Sequence, residues 1–221
     1  LHHFTFPKWV RDLGGWGWAG TPAAFANFTR LVHQEIAPEV RDWITINEPM
    51  PHLLGGYVAG VVPPGKKGPP SILAQPLVGM MKSHAASYHE LHRLAHSSGR
   101  TVRVGIAHHM RTFDPKIPFY PLDQVVASLA NEVWNWSIPE SMQTGHLNFT
   151  IPFALTVNED IPKLEGTQDF FGLNYYTGDL LYWDMFAGMQ KTTRNELAKN
   201  DMGWDIYPEG LGRLLREIHK R

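Results

Sequence analysis

Apolar and polar positions along the chain repeat in two periods, and the two periods alternate. Trp43-Ile44-Thr45-Ile46 carries the every-second-residue spacing of a strand and runs into Asn47, Glu48 and Pro49. Proline has no amide N–H, so Pro49 suits the end of a strand rather than its middle. Residues 101–107, Thr-Val-Arg-Val-Gly-Ile-Ala, form a second predicted strand, ending on His108 and His109. Residues 169–173, Asp-Phe-Phe-Gly-Leu, form a third, ending on Asn174, Tyr175 and Tyr176. Leu1-His2-His3-Phe4 reads as the last residues of a fourth.

Helical spacing fills the intervals. Thr21, as N-cap, and Pro22, in the first helical position, open a helix carrying Phe25, Phe28, Leu31, Val32 and Ile36, with Arg30 and Glu35 left for solvent. A second helix is expected over residues 75–96, stopping near Gly99. A third spans 122–136, and Pro208 opens a fourth with Leu211, Leu214, Leu215 and Ile218 along one side. Residues 55–70 read as a long loop, and 137–160 show no assignable period. Strand and helix in alternation imply right-handed crossovers and a parallel sheet. Polar side chains at every strand end favour a barrel over an open doubly wound sheet, because an α/β barrel gathers its chemistry at the C-terminal tips of its strands. A dinucleotide-binding domain would want a glycine-rich turn directly after a strand, and none is present.

Composition narrows the function mainly by exclusion. The 221 residues suffice for one sizeable core, and the formal charge of −1 supplies no field for nucleic acid or anionic lipid. No apolar run is long enough to span a bilayer, and the N-terminus is not signal-like, so a cytoplasmic location is slightly favoured. The absence of cysteine removes thiolate metal sites. Gly60 to Lys66 nearly spells a phosphate-binding loop, but Lys67 stands where Ser or Thr should be, and Pro63 and Pro64 remove needed N–H donors. His89, His92 and His96 share a helix face, yet Arg93 occupies the position of the second histidine in the zinc-protease pattern. No cofactor or metal is therefore expected. Eight Trp, seven Tyr and eleven Phe supply flat apolar faces of the kind that suits sugar rings.

Several ordered segments carry a resemblance. They are Leu1-His2-His3-Phe4-Thr5-Phe6-Pro7 with Trp9; Trp43 through Pro49; Gly56-Tyr57-x-x-Gly60-x-x-Pro63-Pro64-Gly65; Val104-Gly105-Ile106-Ala107; and Asp169 through Tyr176. Together they resemble the middle of a glycoside hydrolase family 1 β-glycosidase, over essentially the whole chain. The resemblance implies a single partial (β/α)8 barrel across 1–221, from the end of strand 3 through the helix after strand 6. It implies a retaining glycosidase acting on a small-molecule carbohydrate, with no nucleic-acid or membrane partner and no stated oligomeric state. Glu48 then matches the acid/base, Asn47 the amide that binds the sugar 2-hydroxyl, and His3 a histidine holding a hydroxyl of the same ring. Tyr176 matches the tyrosine that donates to the nucleophile, and Asn174 lines the same pocket.

The departures are as specific as the matches. The family's nucleophile lies in an I-T-E-N-G segment, which these 221 residues do not contain. The Gln, Arg and Trp-rich segments of strands 1, 2 and 8 are also missing. The alternatives are a carbohydrate-binding chain without catalysis and a half-barrel that works beside a second chain.

Overall fold

The computed structural model describes all 221 residues. Their contacts divide the chain into two units, residues 1–108 with 137–173, and residues 109–136 with 174–221.

In the first unit, α1 (Lys8–Leu13) and a short 3-10 turn precede α2 (Thr21–Leu31), which runs on into a π-helical turn. Then come β1 (Asp42–Asn47), α3 (Pro49–Leu53) with its own π-helical extension to Ala59, and α4 (Ala74–Ser97). The extension makes the first part of the expected 55–70 loop helical. β1 pairs in parallel with the start of β2 (Arg103–Pro115), and their register slips by one residue between Ile44 and Asn47. His2 bridges Ile46 on the other side of β1 in the same parallel sense, as a strand ending at Leu1–Phe4 requires.

Alternation along β1 decides what lies under it. Trp43 packs with Leu91 and Ala95 of α4 in one apolar cluster, and the Thr45 hydroxyl meets His84 Nδ1 of α4 at 2.7 Å. Ile44 and Ile46 take the opposite face. α4 buries Leu77, Met80, Met81, His84, Leu91 and Leu94, a stripe at helical spacing. Asp169 ties the layers together: it accepts from Tyr88 Oη and the Val104 N–H, both at 2.7 Å, and contacts His92 Nε2 at 2.8 Å. His89 Nε2 meets the Lys163 carbonyl at 2.8 Å, so these two histidines serve as struts of the packing.

Residues 137–160, unassigned from sequence, form α6 (Ser137–Thr144) and an antiparallel hairpin, β3 (His146–Ile151) with β4 (Leu155–Asp160). The helical period over 122–136 resolves into α5 (Pro121–Asn131) and a π-helical turn through Trp136.

The second unit contains α5, the outer part of β2, most of β5 (Gly172–Asp184), β6 (Gly188–Thr192) and α7 (Pro208–Lys220). The sheet order is β1-β2-β5-β6. Along β2 and β5 the near approaches climb together: the Asp169 N–H reaches the Val104 carbonyl, Gly172 abuts Ile106, and Gly178 abuts Thr112. The two strands are therefore parallel, while β6 returns antiparallel. No helix is long and apolar enough to cross a membrane.

Two strand ends differ from expectation. β2 continues eight residues past Ala107 to Pro115, which puts His108 and His109 in mid-strand and buries both. β5 starts three residues late and runs to Asp184, so Asn174 and Tyr176 lie near its beginning. The polar pairs that read as tips are points where the strands carry on past the core. Thr21 also departs from its expected role, because its hydroxyl donates to the Gly15 carbonyl at 2.6 Å and Gly20 takes the cap position.

Candidate active site

The C-terminal end of β1 places three of the five expected residues side by side in the first unit. The register of His2 with Ile46 sets His3 level with Asn47 on the neighbouring strand. The Asn47 N–H donates to the His2 carbonyl at 3.0 Å, and the His2 N–H to the Thr45 carbonyl at 2.9 Å. Glu48 then leaves the strand with φ +49° and ψ +67°, in the left-handed region that non-glycine residues seldom occupy. Its N–H donates to the Ala107 carbonyl at 2.7 Å and its carbonyl accepts from the His52 N–H at 3.2 Å, so β2 and α3 hold the turn between them. Pro49, in the first position of α3, needs no N–H acceptor. Glu48 ends up only 6% exposed, Asn47 half-buried and His3 exposed. Backbone outliers of this kind cluster at functional sites.

The histidine beside His3 is held differently. His2 is buried, with its ring edge-on to His52 at 4.7 Å and to Trp16 at 4.9 Å. Neither His2 nor His52 has a protein hydrogen-bond partner for either ring nitrogen. Burial, reinforced by the nearby His52, pushes His2 down to about 3, and burial pushes His52 down to about 4. The two rings are neutral packing groups beneath the end of the strand that carries His3. Tyr57 closes the same cluster by accepting the Trp16 N–H at 2.8 Å.

In the second unit, Asn174 is half-buried and Tyr176 is 48% exposed. The Tyr176 ring stands edge-on to His109 at 5.1 Å and tilted against Trp204 at 6.0 Å. His109 in turn meets Trp134 at 5.5 Å. These neighbours were absent from the expected site. His109 was read only as part of a polar strand end, and Trp204 lies in a loop with no periodicity, so neither was placed in the site. The next residue, Tyr175, faces the other way, its hydroxyl donating to the Tyr207 carbonyl at 2.6 Å, and burial pushes it up to about 12.

The sequence pattern of Glycosyl hydrolase family 1 matches residues 1–221. The chain belongs to that family. Beta-glucosidase A of Thermotoga maritima is 24% identical over 99% of this chain and 49% of its own length. A beta-galactosidase of Pyrococcus woesei is 27% identical over the whole chain and 50% of its own length. Among solved structures, a beta-glycosidase from Pyrococcus horikoshii superposes with a TM-score of 0.84 and 25% identity, covering all of this chain and 49% of the other. The chain thus spans about half the length of these relatives, and its parallel β/α repeat is half of their (β/α)8 barrel.

Proposed function

We propose that the chain carries the acid/base half of a retaining β-glycosidase that hydrolyses β-linked glucosides or related glycosides. The observation that carries this is Glu48: a buried carboxyl held in a left-handed turn at the C-terminal end of a parallel strand, next to Asn47, which lies level with His3. Retaining hydrolysis needs one carboxylic acid to protonate the departing oxygen and a second carboxylate to attack the anomeric carbon. Glu48 takes the first part, donating its proton to the glycosidic oxygen and later accepting one from the incoming water. Asn47 and His3 hold hydroxyls of the sugar, and an amide on the 2-hydroxyl gains strength as the ring approaches the oxocarbenium state. Asn174 lines the sugar pocket, and the Tyr176 hydroxyl donates to the nucleophile. The nucleophile itself comes from polypeptide outside these 221 residues, so this chain alone is inactive. No cofactor takes part.

The test is Glu48→Gln in a barrel completed by the remaining strands. An amide has no acidic proton to give, and general acid catalysis is worth about 10² to 10⁴ in rate. The rate on an unactivated β-linked disaccharide should fall by that amount. Aryl glycosides whose leaving groups need little protonation should lose much less. An undiminished rate on the disaccharide would remove Glu48 from the mechanism.

A further inference from the structure

Two strained turns stand on neighbouring strands where His3, Asn47 and Glu48 meet: Phe4 has φ +64° and Glu48 φ +49°. Neither is glycine, so each is backbone that its surroundings have to hold. His52 touches both. Its N–H donates to the Glu48 carbonyl at 3.2 Å, and its ring lies parallel to that of Phe4 at 5.8 Å. Phe4 in turn stands edge-on to the His3 ring at 5.3 Å. His2 reaches the same place through its main chain, giving its N–H to Thr45 and its carbonyl to Asn47. The contact of 4.7 Å between the His2 and His52 rings therefore joins the backbone holds on Asn47 and Glu48.

Aromatic faces wall this pair in. Phe6 and Trp16 each contact both rings, and Tyr57 contacts His52. All four imidazole nitrogens are buried without a partner, and so is Trp16 Nε1. The Tyr57 hydroxyl is engaged by the Trp16 N–H and, pushed up to about 12 by burial, keeps its proton. The charges nearby offer no counter-ion. His3 and the Leu1 ammonium belong to the same strand end as His2, and Lys66 lies over the Tyr57 ring at 5.5 Å. Lys8, Arg11 and Asp12 of α1 are exposed and pair with one another. α2 and α4 reach Trp16 with Phe25 and Gly79, which carry no charge. Glu48 meets His52 through its backbone carbonyl, and burial alone displaces the His52 ring. Besides burial, the groups acting on His2 are His52, the Leu1 ammonium and His3, and all three disfavour a positive ring.

A neutral imidazole has one N–H, whereas an imidazolium has two and a charge. Inside this enclosure the second N–H finds no acceptor, so a ring gains a proton by leaving. We infer that His2 and His52 form an acid-released latch: neutral, they hold the strand end that carries Asn47 and Glu48, and on protonation they part and that end opens while the rest of the unit stays folded. The closed rings stay unprotonated down to about pH 4, and released rings bind a proton near 6.5. The latch is therefore intact above 6.5 and opens progressively as the pH falls towards 4. It concerns the hold on the strand end and stands apart from the glycosidase reading.

The test is amide hydrogen exchange of the 221-residue chain, followed by NMR at the Asn47 and His52 N–H groups. Corrected for the intrinsic pH dependence of exchange, their protection should fall about a thousandfold between pH 7.5 and pH 5, a factor of about thirty for each ring released. At pH 5, low urea should leave that exchange unchanged, since a local opening exposes little surface, while amides inside α4 quicken. His2→Phe and His52→Leu should each cut the fall to about thirtyfold, one ring's share. Should one of these variants not fold, the other carries the comparison, and the urea series needs only the parent chain. Protection that does not change with pH, or a fall that either variant leaves intact, overturns the latch. Exchange at Asn47 and His52 that rises with urea in step with α4 also overturns it, because the whole chain would then be unfolding.

Discussion

At the scale of single residues, Glu48 combines chemistry and strain. Its left-handed backbone costs about 1–2 kcal/mol in any residue with a Cβ. The N–H bond to Ala107 and the start of α3 hold it there. Glu48→Gly should therefore be more stable than Glu48→Ala by about 1 kcal/mol, since both the positive φ and the cap position favour glycine. Urea unfolding of the two variants measures this, and a more stable alanine variant would contradict it. His52 carries a second expectation. The folded ring binds a proton only near pH 4 and the unfolded one near 6.5, so stability is intact above 6.5 and drains away as the pH falls towards 4. The difference at pH 5 is on the order of 2 kcal/mol for this ring. His52→Leu should match or exceed the parent at pH 7 and lose less stability on going to pH 5, which denaturation at the two pH values would reveal. An unchanged pH dependence would mean that another group carries it. The grouping of His3, Asn47 and Glu48 at one strand end was legible in the sequence because the polar run and proline after Ile46 mark where the strand stops. The conformation of Glu48 was not, because nothing about a glutamate favours positive φ. The burial of His2 was also invisible, since Trp16 and His52 reach it from distant parts of the chain.

Whole elements were legible where one period ran long and unbroken, as in α4 and α7. The β3–β4 hairpin was missed although Leu147 and Phe149 are buried at strand spacing, because Pro152 and Phe153 interrupt the run at the turn. α2 was placed correctly and its inner face only partly read, since Phe25 meets Trp16 and Val32 packs against the Trp43 cluster. Phe28 and Leu31 are about half exposed, and the face towards α4 uses Thr29, whose hydroxyl meets Ser87 Oγ at 2.9 Å. Small polar side chains let two helices approach closely, and no hydrophobic stripe announces them. α4 approaches the 3-10 turn after α1 more closely still: a Cβ on Gly79 would stand 1.9 Å from the Trp16 carbonyl oxygen. In an open helix interior, glycine to alanine gains about 1 kcal/mol. Here the overlap is with backbone, and overpacking of this kind costs about 1–3 kcal/mol once neighbours shift. Gly79→Ala should therefore be destabilising by chemical denaturation, with the midpoint moving down. A midpoint that rises would mean that the turn at Trp16 yields more easily than a packed backbone should.

For the molecule as a whole, the alternation of strand and helix fixed the class, and the count of elements set the extent. β1, β2 and β5, with the isolated parallel bridge of His2 to Ile46 beside β1, supply three parallel strands and the end of a fourth in a fold that closes with eight. The five expected site residues divide accordingly: His3, Asn47 and Glu48 in the first unit, Asn174 and Tyr176 in the second. On the proposed reading Glu48 donates the proton and the nucleophile lies elsewhere, and a donor without a nucleophile has no route to the covalent sugar intermediate. The chain by itself should therefore turn over no aryl β-glucoside. Adding a polypeptide that carries the family's I-T-E-N-G strand and the rest of the barrel should restore turnover, and the restored activity should require Glu48. The decisive measurement is release of an aryl leaving group by purified chain, with and without the co-expressed segment, in parent and Glu48→Ala forms. Turnover by the chain alone that vanishes in Glu48→Ala would mean that another carboxylate among these 221 residues attacks the sugar, and that the reaction is complete within half a barrel.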